Sequence, residues 1–175
     1  QGKLGLGSAH KMAMRYALEN NFDFLITMDA DFSHDPKCLP KMVEMLATYD
    51  FVIGSRFMPG GHCDYGPGRM VISRGANVLA RLLLGIKLRE TTTSYRGFSR
   101  KLLQDLKVDQ IQSDGYSFFF EQVYRISQVT SAVAEFPIHF ADRRAGVSKI
   151  SKKEIIKGIT TLFRLAFDRL LGSGS

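Results

Sequence analysis

With 175 residues, 45% of them hydrophobic and 23% charged, this chain can enclose a core of its own and is neither a disordered tail nor a fibrous repeat. Its 24 Lys and Arg against 17 Asp and Glu leave a net charge of +7. That balance suits an anionic partner such as nucleic acid, a phosphate-bearing ligand or an acidic membrane surface; the plainer reading is that it only maintains solubility. Two cysteines, Cys38 and Cys63, without metal-like spacing, argue against a disulfide framework and for a reducing compartment, and no apolar run reaches the roughly 20 residues that a spanning helix needs.

The chain opens Gln1-Gly2-Lys3 without Met and closes Gly172-Ser173-Gly174-Ser175, which sets the expectation of a fragment ending in a linker or tail. Ser8 is placed to cap a helix whose apolar side is Ala9, Met12, Ala13, Tyr16 and Ala17. Phe24–Met28 reads as a short strand buried on both faces. Asp35-Pro36 reads as an N-cap and first helical position, followed by a helix with Leu39, Met42, Val43 and Leu46 on one side. Phe51-Val52-Ile53 reads as a second buried strand, and Pro59 to Gly68 as a loop. A helix is expected from about Val71 to Leu84, stopped by Gly85. Ser99 is placed to cap a short helix within 98–106, and Tyr116–Ser127 reads as a further helix. Val133–Phe140 reads as a strand made irregular by Pro137. Lys152–Leu171 is amphipathic, with Ile155, Ile159, Leu162 and Phe163 among its apolar positions. This alternation predicts an α/β layered sheet, with ligands at the carboxyl ends of its strands.

At one such end the run Phe24-Leu25-Ile26-Thr27-Met28 gives way to Asp29-Ala30-Asp31. Alternate residues of an extended chain point the same way, so the two carboxylates face one side. They repel unless a cation lies between or beside them, and oxygen-only ligands suit Mg²⁺ or Mn²⁺ completed by phosphate oxygens. The competing reading is a turn cluster, since Asp favours turns. A phosphatase of the haloacid-dehalogenase type also places such a pair after a strand, but the later acidic metal motif of that class has no convincing counterpart here. His10, His34, His62 and His139 show no ligand spacing.

Seven stretches in order resemble the polyprenol-phosphate mannosyltransferases, the dolichol-phosphate mannose synthase group of the inverting GT-A glycosyltransferases. They are Lys3-Leu4-Gly5-Leu6-Gly7-Ser8-Ala9, Met28–Pro36, Ile53-Gly54-Ser55-Arg56-Phe57, Ile72-Ser73-Arg74-Gly75-Ala76-Asn77, Thr92-Thr93-Ser94-Tyr95-Arg96-Gly97-Phe98, Gly115-Tyr116-Ser117-Phe118 and Phe136–Lys149. The resemblance implies a Rossmann-like GT-A sheet flanked by helices, here lacking its first strand–helix–strand unit. It places a partial catalytic domain over 1–150, and the residue pattern adds an amphipathic C-terminal helix over 151–171 and a linker or tail over 172–175. It implies transfer of a sugar, mannose from GDP-mannose, to a polyprenol phosphate, with UDP-glucose as the alternative donor and a non-catalytic binding module as the alternative role.

By the same resemblance Asp29, Asp31 and Ser33 are metal ligands, where some relatives carry Gln in place of Ser33. Lys3, Ala30, Asp29 and Asp31 belong to the donor site. Asp31 and Arg96 are catalytic, and Arg56, Arg69, Ser73, Arg143 and Lys149 grip phosphate. The segment around Arg96 departs from the family pattern at Glu90 and Ser94, and Glu121 matches a family pattern but suits a salt bridge as well. The basic run from Arg143 to Arg169 includes Lys152, Lys153, Lys157 and Arg164; with the amphipathic pattern it suits either an anionic lipid surface or a solvated helix face. The implied partners are a nucleotide sugar, a polyprenol phosphate and a membrane surface, with no nucleic acid. The implied location is the cytoplasmic face of a membrane, the plasma membrane in a prokaryote or the endoplasmic reticulum in a eukaryote.

Overall fold

The computed structural model describes residues 5–64, 66–141 and 151–172. Helix α1 spans Leu6–Glu19. Its N-cap is Gly5, at φ 91°, rather than Ser8, whose hydroxyl donates back to the Gly5 carbonyl at 2.8 Å. Strand β1 (Phe24–Thr27) and helix α2 (Leu39–Leu46) follow, joined through a 3-10 turn that Asp35 caps by accepting from the Lys37 N–H. Then come β2 (Phe51–Ser55), a two-residue strand β3 (His62–Cys63) and α3 (Pro67–Leu84). The last starts earlier than its apolar periodicity indicates, because Pro67 occupies the first turn, where its missing N–H costs nothing. Gly85 ends it in the left-handed conformation at φ 68°. The remaining elements are β4 (Arg96–Ser99), α4 (Arg100–Asp105), α5 (Ser117–Val129), β5 (Val133–Pro137), β6 (His139–Phe140) and α6 (Lys152–Leu170).

Among the described residues the main sheet has the order β1-β4-β2-β5, with β4 antiparallel to both β1 and β2, and β2 parallel to β5. Strand β1 therefore ends this row and is only partly covered, with Phe24 exposed, whereas β2 is buried throughout. The expectation of burial on both faces holds for β2 and fails for β1. Val133–Phe140 is broken in two: Pro137 has no N–H to extend the ladder, and β6 leaves to pair with β3 in a separate parallel ribbon.

Alternation along the strands sorts the core into two layers. Phe51 and Ile53 join Phe98 and residues of α1, α3, α5 and α6 on one face. Val52 joins Met42 and Leu46 of α2, with Phe136, on the other. Gly97 is needed for that second layer, since a Cβ there would stand 2.8 Å from a Leu46 methyl. The carboxyl ends of β1, β2 and β5 and the start of β4 thus share one edge of the sheet.

His10 is buried where α1 meets α5, its ring tilted against Phe118 and edge-on to Phe119 at centroid distances of 5.5 and 5.2 Å. Burial, with the nearby Arg96 cation, lowers its pKa to about 4 against a smaller opposing pull from Asp29. Between pH 6.5 and 4 the unfolded chain takes up a proton that the fold refuses, so His10 lowers stability as the pH falls, by on the order of 3 kcal/mol at the acid limit. Urea unfolding at pH 7 and pH 4.5 should show this loss, and His10→Leu should shrink it; an equal loss in the variant would remove His10 as its source.

Candidate active site

The loop after β1 is held from below and from the side. Ser94 Oγ donates to Asp29 Oδ1 at 2.6 Å, while the Ser94 carbonyl accepts from Thr27 Oγ1 at 2.7 Å. The Asp29 N–H donates to His34 Nδ1 at 3.0 Å, and His34 Nε2 lies 3.2 Å from Thr93 Oγ1. A ring nitrogen that accepts carries no proton, so the His34 proton sits on Nε2 and points to Thr93. Burial lowers the His34 pKa, outweighing the pull of Asp29 in the other direction, so the imidazole stays neutral and keeps its acceptor. Asp31 Oδ1 accepts from the Ser33 N–H at 3.1 Å, and Ala30 between the two acids is exposed. Phe32 takes the left-handed conformation at φ 65°, a cost of order 1–3 kcal/mol that persists only where the surroundings impose it.

Beside this loop lies a buried ion pair. Arg56, just past β2, donates from Nε to Glu90 Oε2 at 2.7 Å and from Nη2 to Glu90 Oε1 at 2.8 Å, and also reaches Thr92 Oγ1 at 2.7 Å. Burial pushes the Glu90 pKa up, but Arg56 and Thr92 together outweigh it and hold the carboxyl below its ordinary range. Arg96 is wholly buried at the start of β4. It donates to the carbonyls of Thr93 and Thr91, both at 2.6 Å, and to Gln122 Oε1 at 2.5 Å, with its guanidinium 4.3 Å from the Phe119 ring centroid.

A cavity of about 480 Å³ opens against these groups. Asp29, Arg56, Thr92 and Ser94 form one end of its wall, joined by Arg69 and Ser73, which stand one helical turn apart on α3. The rest is chiefly apolar, from Ile72 and Leu79 of α3, Phe119 and Phe120 of α5, and Ile159 and Leu162 of α6.

The sequence-derived candidates divide accordingly. Asp29, Asp31 and Ser33 share one loop, and Arg69 and Ser73 line the same cavity as Asp29. Arg56 reaches the wall, but its fork is bidentate to Glu90. Arg96, expected to be catalytic, is absent from the wall. Strand β4 runs antiparallel between β1 and β2, which sends this side chain inward under α5, where it positions the 91–93 segment. Lys3, Arg143 and Lys149 lie outside the described residues.

Glu121 serves as a structural acceptor, taking the N–H groups of Gln112 and Ser113, and Arg125 and Arg164 at 3.0 and 2.8 Å. Sequence reasoning missed His34, Thr93, Ser94 and Glu90 as supports of the acid loop. The departures at Glu90 and Ser94 were the available signal. His34 had none, because its partner Thr93 is 59 residues away.

The donor set fits a hard divalent cation. Asp29 and Asp31 offer only oxygen, and Ser33 Oγ is buried with no hydrogen-bond partner among the described residues, an orphan that native interiors rarely tolerate.

A profile described as glycosyl transferase family 2 matches residues 1–107. The chain belongs to that family. Family membership sets aside the phosphatase reading of the acid pair. Among curated relatives of this family 2 chain, undecaprenyl-phosphate mannosyltransferase of Micrococcus luteus is 39% identical over 150 residues, covering 85% of this chain and 62% of that protein. Polyprenol monophosphomannose synthase of Mycolicibacterium smegmatis is 36% identical over 155 residues, covering 87% and 58%. The chain thus spans about three fifths of the length of these relatives. The fold is that of GT-A enzymes. Glucosyl-3-phosphoglycerate synthase from Mycobacterium tuberculosis, solved with Mn²⁺, UDP-glucose and phosphoglyceric acid, superposes with a TM-score of 0.63 at 19% identity over 95% of this chain and 56% of that one. The same enzyme with phosphoglyceric acid alone gives 0.66 at 19% identity over 95% and 57%.

Glu90→Ala leaves the Arg56 cation buried without its carboxylate counter-charge, a loss of about 3–5 kcal/mol. Chemical denaturation should register it as a lowered midpoint, and a variant as stable as the wild type would mean that solvent reaches Arg56.

Proposed function

We propose that this family 2 chain carries the acceptor side and the metal-binding half of a polyprenol-phosphate mannosyltransferase, transferring mannose from GDP-mannose to a polyprenol phosphate with inversion. The observation that carries the reading is the divided wall of the cavity, which sets Asp29, Arg56, Arg69 and Ser73 beside apolar side chains of α3, α5 and α6. An isoprenoid phosphate has the same division. Its phosphate fits Arg69 and Ser73, and its first isoprene units fit the wall between α3 and α6. The curated relatives, named for mannosyl transfer to polyprenyl phosphates, favour mannose over glucose.

The acceptor phosphate is already an anion, so no strong base is required. One of its oxygens attacks the anomeric carbon from the face opposite the diphosphate. The new carbon–oxygen bond forms as the bond to the diphosphate breaks, and GDP leaves with the electron pair. Arg69 and Ser73 hold the nucleophile in line and out of water. Asp29 and Asp31, with Ser33 beside them, would hold Mg²⁺ or Mn²⁺, which would neutralise charge growing on the departing diphosphate. Neutral His34 and Ser94 keep Asp29 aimed. Lys3 and Ala30 are assigned to the donor, and Arg143 and Lys149 to phosphate. Asp31 bears on catalysis directly, as a cation ligand, and Arg96 through the loop that it fixes.

The acceptor also gives the exposed apolar side chains a role. Val71 and Leu82 of α3 and Phe163, Phe167 and Leu170 of α6 are exposed, and α6 carries Lys152, Lys153 and Lys157 at its start. Residues 151–171 would lie in the headgroup region of a membrane, on its cytoplasmic face, and feed the lipid into the cavity. No helix among the described residues is long and apolar enough to cross a membrane.

Calorimetry with GDP-mannose and UDP-glucose, each with and without Mn²⁺, tests the assignment. GDP-mannose should bind only with the cation, and Asp31→Asn should abolish binding. Binding of UDP-glucose alone would replace the donor, and binding of neither would refute a donor site within these residues.

A further inference from the structure

We propose that His62, Asp64 and His139 form a second cation site, selective for a borderline transition metal such as Zn²⁺ and distinct from the all-oxygen site at Asp29 and Asp31. The backbone dictates the convergence. Strands β3 and β6 pair in parallel with His62 opposite His139. The His62 N–H donates to the Ile138 carbonyl at 2.9 Å, and the Asp64 N–H to the Phe140 carbonyl at 3.1 Å, which locks that register. Asp64, two residues beyond His62, returns to the same side of the ribbon. Two imidazoles and a carboxylate are thereby gathered on one face without any long-range search.

The distances suit a metal. His139 Nε2 lies 2.8 Å and His62 Nε2 lies 3.4 Å from Asp64 Oδ1, and the ring centroids are 5.2 Å apart. One donor atom from each residue lies within 4.8 Å of the other two. Tetrahedral Zn²⁺ with bonds of about 2.0–2.1 Å holds its ligand atoms roughly 3.4 Å apart, a span that small side-chain rotations reach here. Three protein ligands on an accessible rim leave a coordination position for water. Two nitrogen donors select Zn²⁺, Ni²⁺ or Cu²⁺ over Mg²⁺ and Mn²⁺, while the paired carboxylates of the acid loop select the reverse.

Occupancy reaches the active site through a short path. Strand β6 turns His139 outward, while Phe140 joins the cavity wall and stacks edge-on to His34 at 5.0 Å. The next N–H, from Ala141, donates to the Ser33 carbonyl at 3.2 Å. A ribbon of two residues per strand is weak on its own. A metal bridging both strands staples 62–64 to 139–141 and so steadies the rim beside the acid loop.

The test uses the tag-free chain, stripped with a chelator and titrated with ZnCl₂ by calorimetry, with Co²⁺ absorption reporting nitrogen ligation. One Zn²⁺ should bind, raising the melting temperature. His139→Asn and His62→Asn should each weaken binding by about tenfold or more and suppress the Co²⁺ bands, while Asp31→Asn leaves both unchanged. Metal-free variants that melt at the wild-type temperature show that the fold is intact, and His62, on the exposed ribbon edge, supplies a second variant should His139→Asn unfold. No Zn²⁺ binding, unchanged affinity in both histidine variants, or loss only in Asp31→Asn would each overturn the proposal and leave the cluster as a hydrogen-bonded turn.

Discussion

The buried guanidinium of Arg96 organises the edge of the sheet on which the site is built. A cation with no exposure must have its donors satisfied nearby, and here it draws in the carbonyls of Thr91 and Thr93, the Gln122 amide oxygen and the face of Phe119. The segment 91–95 is thereby bent over the ends of β1 and β2. Each supporting contact starts from this bent segment or from its neighbour Glu90: Ser94 to Asp29, Thr93 to His34, and Thr92 with Glu90 to Arg56. Displacing the guanidinium would release three contacts to the acid loop and its surroundings at once.

The division of the cavity follows from that arrangement. Asp29 and Arg56 stand at the strand ends, where backbone and hydroxyl groups can satisfy them, while Arg69 and Glu154 line the cavity from α3 and α6. The helices α3, α5 and α6 contribute their apolar sides to the remainder. Arginines so near each other serve different ends. Arg56 is consumed by Glu90 and shapes the wall, while Arg69 lines the cavity from a helix. Residue type alone does not separate these roles; the neighbours do.

The helices were readable in the sequence, since their apolar residues recur at the helical period and Ser99 and Gly85 mark two of their ends, although Ser8 does not cap α1. The acid pair was readable because two carboxylates after an apolar run have few structural reasons to exist. Strand β4 was not, since Arg96-Gly97-Phe98-Ser99 carries an arginine and a glycine where β-branched residues are expected. It is a strand because β1 and β2 flank it, and Gly97 is tolerated because Leu46 fills the space. The supports of the acid loop and the gathering of His62 with His139 were hidden for one reason: they join residues tens of positions apart, and local pattern does not report strand pairing.

The placement of β4 also has a consequence for assembly. Strands β1 and β2 are separated by β4 and never hydrogen-bond to each other. A chain emerging from its amino end holds Asp29 and Asp31 for some 65 residues of synthesis before the strand that closes the sheet exists. Such a topology has long sequence separation between partners and a correspondingly slow, late closure. The acid loop is thus made well before the strand that sets it in shape.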